Sequence, residues 1–178
     1  MKKSVAIAAV VAGLIVAGVA GLASGNGWWR QSVNAWIALP VEVQEAVLEA
    51  LTGPEGEYAA YATYAAILAE YGEVYPFANI MESEARHIES LQEVLDRHAV
   101  PCPSGNPYLG RIEAPVSLGE AAQAGVDADI ANVALYELQL ATVAEYPDIL
   151  RVSLKLQSAS QEKHLPAFQR TLVRYANV

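Results

Sequence analysis

The sequence predicts an all-α protein: a four-helix bundle of two helical hairpins, preceded by an apolar N-terminal leader and short helices. Three observations lead there. Of the 178 residues, 53% are apolar and alanine is abundant, a composition that favours helix over strand. Apolar residues recur at helical spacing in four long segments between residues 55 and 175, the pattern of helices that bury one face. Glycine and proline fall between those segments, at two tight turns and one long connection. The length suits one domain with a real core.

In residues 1–25, Lys2-Lys3 precedes an uncharged apolar run from Val5 to Leu22, the layout of a secretory signal peptide. Ala23-Ser24-Gly25 offers cleavage sites, but the run also reaches the ~18 residues at which one membrane span becomes feasible. A cleaved signal peptide and a membrane anchor through residues 4–24 are both open. Either implies an exported protein, in the periplasm, at the cell surface or extracellular. A lone cysteine in such a chain, Cys102, stays free or pairs between chains.

Residues 26–52 read as an N-terminal helical extension, with amphipathic helices at 28–39 and 41–51 separated by Pro40. Trp28, Trp29 and Trp36 pack on the core or lie at a membrane interface. The bundle itself occupies residues 53–178. After Gly53-Pro54, a helix spans 55–71 with few polar interruptions; Gly72 and Pro76 bracket a turn; a second helix covers 77–98 with Ile80, Ile88, Leu91 and Leu95 on its apolar stripe. The proline-rich stretch 101–115 is a loop or crossover. A third helix runs over 117–146, with a break expected near Gly125-Val126, and a fourth over 148–175. Two hairpins joined by a long connection close a four-helix bundle.

The two hairpins repeat one another. Ala59, Tyr61, Ala66 and Ala69-Glu70-Tyr71 recur 75 positions later as Ala134, Tyr136, Ala141 and Ala144-Glu145-Tyr146. Ser83, His87, Gln92, Leu95, Arg97 and Ala99 recur 77 positions later as Ser160, His164, Gln169, Leu172, Arg174 and Ala176. Within this frame, Glu84 and His87 are three apart and project from one helix face, so both can ligate one ion. Glu57, near the start of the preceding helix, falls beside Glu84 in an antiparallel pair. Di-metal bundles use Glu from two helices and Glu-x-x-His from the other two, because four carboxylates offset the charge of two divalent ions. In the second hairpin Glu57 corresponds to Asn132, Glu84 to Gln161 and His87 to His164. Two carboxylates are thus replaced by amides. Asp129, one turn before Asn132, is the better-directed compensation; Glu162 and Glu137 are further candidates.

Residues 55–71, the run Phe77-Ala-Asn-Ile-Met-Glu-Ser-Glu-Ala-Arg-His87 and the closing Ser160-Gln-Glu-Lys-His-Leu-Pro-Ala-Phe168 resemble the DUF2202 proteins. That family is ferritin-like and more distantly similar to rubrerythrin; the resemblance covers roughly residues 50 to 175. It implies a ferritin-like bundle with a non-haem di-iron site, in which Glu57, Glu84, His87 and His164 fall on ligand positions. The third helix departs from the family's pattern at Asp129 and Asn132. No Cys-x-x-Cys pair is present, which argues against a rubredoxin-type electron-transfer module.

The expected ligand is therefore iron, as a di-iron or single ion, with manganese an alternative, held by Glu57, Glu84, His87, His164 and Asp129. Redox activity would place Tyr61, Tyr64 or Tyr136 as electron donors. The competing reading is a metal-free structural or binding bundle at the cell envelope. In it Glu84 is a surface residue, Glu57 a first-turn residue favoured by the helix dipole, the histidines are bonded to backbone carbonyls, and Asn132 and Gln161 satisfy each other's buried hydrogen bonds. Acidic residues outnumber basic ones 20 to 11, for a formal net charge of −9. Such a chain repels phosphate backbones, which argues against nucleic acid as a partner. Homodimer formation is left open.

Overall fold

The computed structural model describes residues 38–175, and within them the chain is all-helical. The leader, the anchor through 4–24, the three tryptophans and nearly all of the helix expected over 28–39 lie outside the described residues. The first described residues, Ala38 to Pro40, are not helical. Helix α1 (Val41–Thr52) follows Pro40 and ends where the Gly53 N–H bonds to the Glu49 carbonyl. Helix α2 (Glu57–Tyr71) starts after Gly56 and stops at Gly72. The φ of +78° at Gly72 is a left-handed geometry that glycine adopts without a Cβ penalty.

Helix α3 (Phe77–Arg97) buries Phe77, Ile80, Glu84, His87, Leu91, Val94 and Leu95. Their spacing of three and four residues makes one stripe, in which Glu84 and His87 are the two polar members. The connection from 98 to 117 has no helix of its own but is tied down: Asn106 Nδ2 donates to the Tyr58 carbonyl at 2.7 Å, Tyr108 Oη to Thr52 at 2.8 Å, and Tyr71 Oη to Pro115 at 2.6 Å. Helix α4 (Leu118–Val143) is capped by Ser117, whose Oγ accepts from the Glu120 N–H.

One expectation fails here, and one helix carries an unexpected feature. α4 passes through Gly125 unbroken, because that glycine is a packing position: a Cβ on it would lie 2.7 Å from the Phe168 ring. The fourth helix is not regular. It runs as α5 (Pro147–Ala159), a π-helical turn at Ser160–His164, and α6 (Leu165–Tyr175).

α2 packs on α3, α4 packs on both α5 and α6, and α1 lies against α2, α3 and α4. Two apolar clusters result. One gathers Leu51, Tyr58, Leu91, Leu95, Tyr136 and Leu156 among others. The other centres on Tyr64, Phe77 and Phe168, whose rings pack at 5.3–6.2 Å. Along α3, α4 and the α5–α6 rod, Glu84, His87, Asp129, Asn132, Ser160 and His164 sit between members of one cluster and members of the other. A polar layer thus separates the two apolar clusters. Among the described residues no helix is long and apolar enough to cross a membrane.

Candidate metal centre

The polar layer holds the five ligands expected first from the sequence, Glu57, Glu84, His87, Asp129 and His164. Glu57 (1% exposed), Glu84 (2%), His87 (4%), Asp129 (3%) and His164 (4%) are all buried. Charged side chains are rarely buried unless paired or bound to an ion.

Glu57 opens α2, Glu84 and His87 lie on the inward stripe of α3, Asp129 on α4, and His164 closes the π turn. His87 Nδ1 is 2.8 Å from Glu84 Oε2 and 3.2 Å from Glu57 Oε2. His164 Nδ1 is 3.2 Å from the other oxygen of Glu84, Oε1, and 3.7 Å from Asp129 Oδ1. Glu84 therefore presents one oxygen to each histidine. Two groups of three follow, Glu57–Glu84–His87 and Glu84–Asp129–His164, with the ligand atoms of each within 4.8 Å of one another. The imidazoles lie nearly parallel, centroids 5.5 Å apart.

These distances suit cations. Ligands about 2.1 Å from a shared ion stand roughly 3 Å apart. Two buried atoms, Asp129 Oδ2 and His164 Nδ1, have no hydrogen-bond partner, and such orphans are uncommon in folded interiors. His164 Nδ1 is close to two carboxylates without making a hydrogen bond to either. A positive ion among the three groups satisfies all of them at once. Each group can hold a metal ion, and the donors, carboxylate oxygen and imidazole nitrogen, suit several divalent metals.

Around the ligands runs a set of hydrogen bonds. Tyr136 Oη donates to Glu57 Oε1 at 2.7 Å. Asn132 Nδ2 donates to the Glu55 carbonyl at 2.9 Å and lies 3.4 Å from Glu57 Oε1, while its Oδ1 accepts from Ser160 Oγ at 2.8 Å. On the outer edge of the other ring, His87 Nε2 faces Ser83 Oγ at 3.3 Å. Bonds of this kind orient ligands and fix their tautomers.

Electrostatics reflect the crowding. Burial, reinforced by the neighbouring Glu84 charge, pushes Glu57 up to about 7. Burial likewise lifts Asp129 to about 6, against the opposing pull of His164. Glu84 is desolvated too, but the His164 and His87 imidazoles facing its two oxygens outweigh that cost and hold it well below the usual carboxylate range. Burial disfavours charge on both imidazoles, yet their carboxylate partners raise each to about 9. A metal at Nδ1 supplies the positive charge that the proton otherwise provides.

Several sequence expectations need correction. Gln161 is exposed and takes no part in the site. The Leu165 N–H bonds to the Ser160 carbonyl, five residues back, so this turn carries one residue more than an α-helical turn. The residue four before His164, rather than three, then faces inward. Ser160 is that residue, and it fills the place for which the repeat nominates Gln161. Glu162 and Glu137 are exposed as well, so Asp129 alone supplies the second hairpin's carboxylate. Of the tyrosines, Tyr64 and Tyr136 are fully buried, whereas Tyr61 is only partly so. The hydrogen-bonding parts of Ser160 and Tyr136 were missed in the sequence; both stand in the repeat, aligned with Ser83 and Tyr61, and that recurrence was the available signal. Comparison with family models, with curated proteins and with solved structures finds no match to this chain.

Proposed function

We propose that this chain is an exported, ferritin-like four-helix metalloprotein that holds two divalent ions, iron or manganese, in the polar layer between its apolar clusters. The observation that carries the reading is Glu84. Its two oxygens face two different histidine nitrogens, the disposition of a carboxylate bridging two ions. Glu57 and His87 complete one position; Asp129 and His164 complete the other. The hairpin arrangement and the DUF2202 resemblance support the ferritin-like assignment, and the Lys2-Lys3 leader supports export.

Bound iron or manganese would supply redox chemistry toward oxygen or peroxide, or the site would serve metal handling. The chain's own contribution is clearer. The Tyr136 hydroxyl holds one Glu57 oxygen and leaves the other to the ion. Asn132, locked by Ser160 and the Glu55 carbonyl, keeps an uncharged group where a fourth carboxylate would otherwise stand. Three carboxylates against two divalent ions leave one positive charge, so the position with Asp129 and His164, which has no Tyr136-like support, is the weaker.

The metal-free alternative draws on Asn132, whose amide is satisfied without an ion. It is disfavoured because the histidines face carboxylates rather than backbone carbonyls and because Gln161 lies outside. Elemental analysis separates the two. The reconstituted full chain should retain about two equivalents of iron or manganese against a weak chelator, and Glu84→Gln should lose both while its circular dichroism stays helical. Equal metal in the variant, or none in the wild type, would falsify the assignment.

A further inference from the structure

A cavity of about 340 Å³ opens on the far side of His87 between α3 and the junction of α5 with the π turn. It is lined by Ser83, Arg86, His87, Lys155, Ser158 and Lys163, and no carboxylate lines it. In a chain where acidic residues outnumber basic ones 20 to 11, that is a marked local reversal. Lys155 and Lys163 are the only lysines among the described residues, and both are here. None of Arg86, Lys155 and Lys163 has an ion-pair partner among the described residues. Cations on such an acidic surface ordinarily find a carboxylate; these three face a shared hollow instead.

We propose that this cavity binds a tetrahedral oxyanion, phosphate or the phosphate group of a small ester. Three cations converge on it, and two serine hydroxyls add neutral donors. His87 Nδ1 is engaged by the carboxylates, so the ring turns Nε2 outward. That nitrogen lies 3.3 Å from Ser83 Oγ. The Ser83 and Ser158 hydroxyls line the same hollow, and each is a hydrogen-bond donor that an anion can use. Both the concave shape and the volume suit a small molecule. The acidity of the surrounding surface disfavours a long polyanion, which would meet repulsion beyond the three cations. The inference goes beyond the metal reading, because it uses the outward side of His87.

The test is isothermal titration of inorganic phosphate into the full chain at fixed ionic strength, and into a Lys155→Gln/Lys163→Gln double variant. Both lysines are exposed, so the variant should keep its helix content. One saturable site is expected in the wild type, weakened at least about tenfold in the variant. Glycerol 3-phosphate in a parallel arm tells the source: tighter binding than phosphate assigns an ester, equal or weaker binding assigns the free ion, and either supports the oxyanion site. Absence of saturable binding to both ligands, or equal binding by wild type and variant, overturns the proposal. Metal retention measured in the same samples keeps the two readings apart, since the lysines touch no proposed ligand and their replacement should leave metal content unchanged.

Discussion

The five ionisable side chains of the polar layer are individually unfavourable and jointly consistent. Each carboxylate loses hydration, and each imidazole would rather be neutral at that depth. The folded, metal-free chain resolves this by taking up protons: His87 and His164 rise from 6.5 to about 9, and Glu57 from 4.5 to about 7. A raised folded-state pKa means more protons bound when folded than unfolded, so stability falls as pH rises. The histidine contribution is complete below pH 6.5 and lost as pH passes 9; the Glu57 contribution fades between 4.5 and 7. Glu84, held low, acts oppositely and loses its contribution only in acid. Thermal melts of metal-free protein should therefore decline from pH 6.5 to 9. Metal affinity should climb over the same interval as proton competition lifts, with proton release detectable on loading. A flat melting profile across that range would contradict these histidine environments. At this scale Glu57, Glu84, His87, His164 and Asp129 were all legible in the sequence, because Glu-x-x-His spacing and the repeat are local or periodic signals. Tyr136 as the Glu57 donor was not, since that bond joins residues 79 apart.

Helix boundaries followed the glycines, the prolines and the Ser117 cap, and the expected segments meet α1, α2, α3 and α4 within a few residues. The misses have a common cause, because each depends on packing from another element. Gly125 looked like a break in isolation; its reason is the Phe168 ring, delivered from α6. The π turn has no local signature either, and only the inward positions of Ser160 and His164 on one rod reveal it. Gly125→Ala tests the packing explanation. Alanine is the better helix former by about 1 kcal/mol, so a flexible break predicts a gain in stability. Overpacking against Phe168 predicts a loss of about 1–3 kcal/mol, which urea denaturation would resolve. The short cavity-lining stretch of the π turn also shows what periodicity cannot carry: Lys163 acquires its neighbours Arg86 and Lys155 only once α3 and α5 are side by side.

For the molecule as a whole, the two proposed metal positions differ in what they connect. Glu57, Glu84 and His87 all belong to the α2–α3 hairpin, so one position is assembled by a single turn of chain. The other takes Glu84 from α3, Asp129 from α4 and His164 from the π turn, and so spans both hairpins. Asp129→Asn should accordingly leave about one ion per chain, at the position built by α2 and α3; retention of both by elemental analysis would show that Asp129 is dispensable. An ion at the spanning position fastens two stretches of chain that are otherwise joined by the 98–117 connection and by side-chain packing. It acts as a removable clasp. Loading it closes a long loop in the chain and excludes open conformations, and removing it restores them. The lifetime of the folded protein would then follow the supply of metal, with an empty clasp exposing the chain to proteolysis first along the seam between the hairpins.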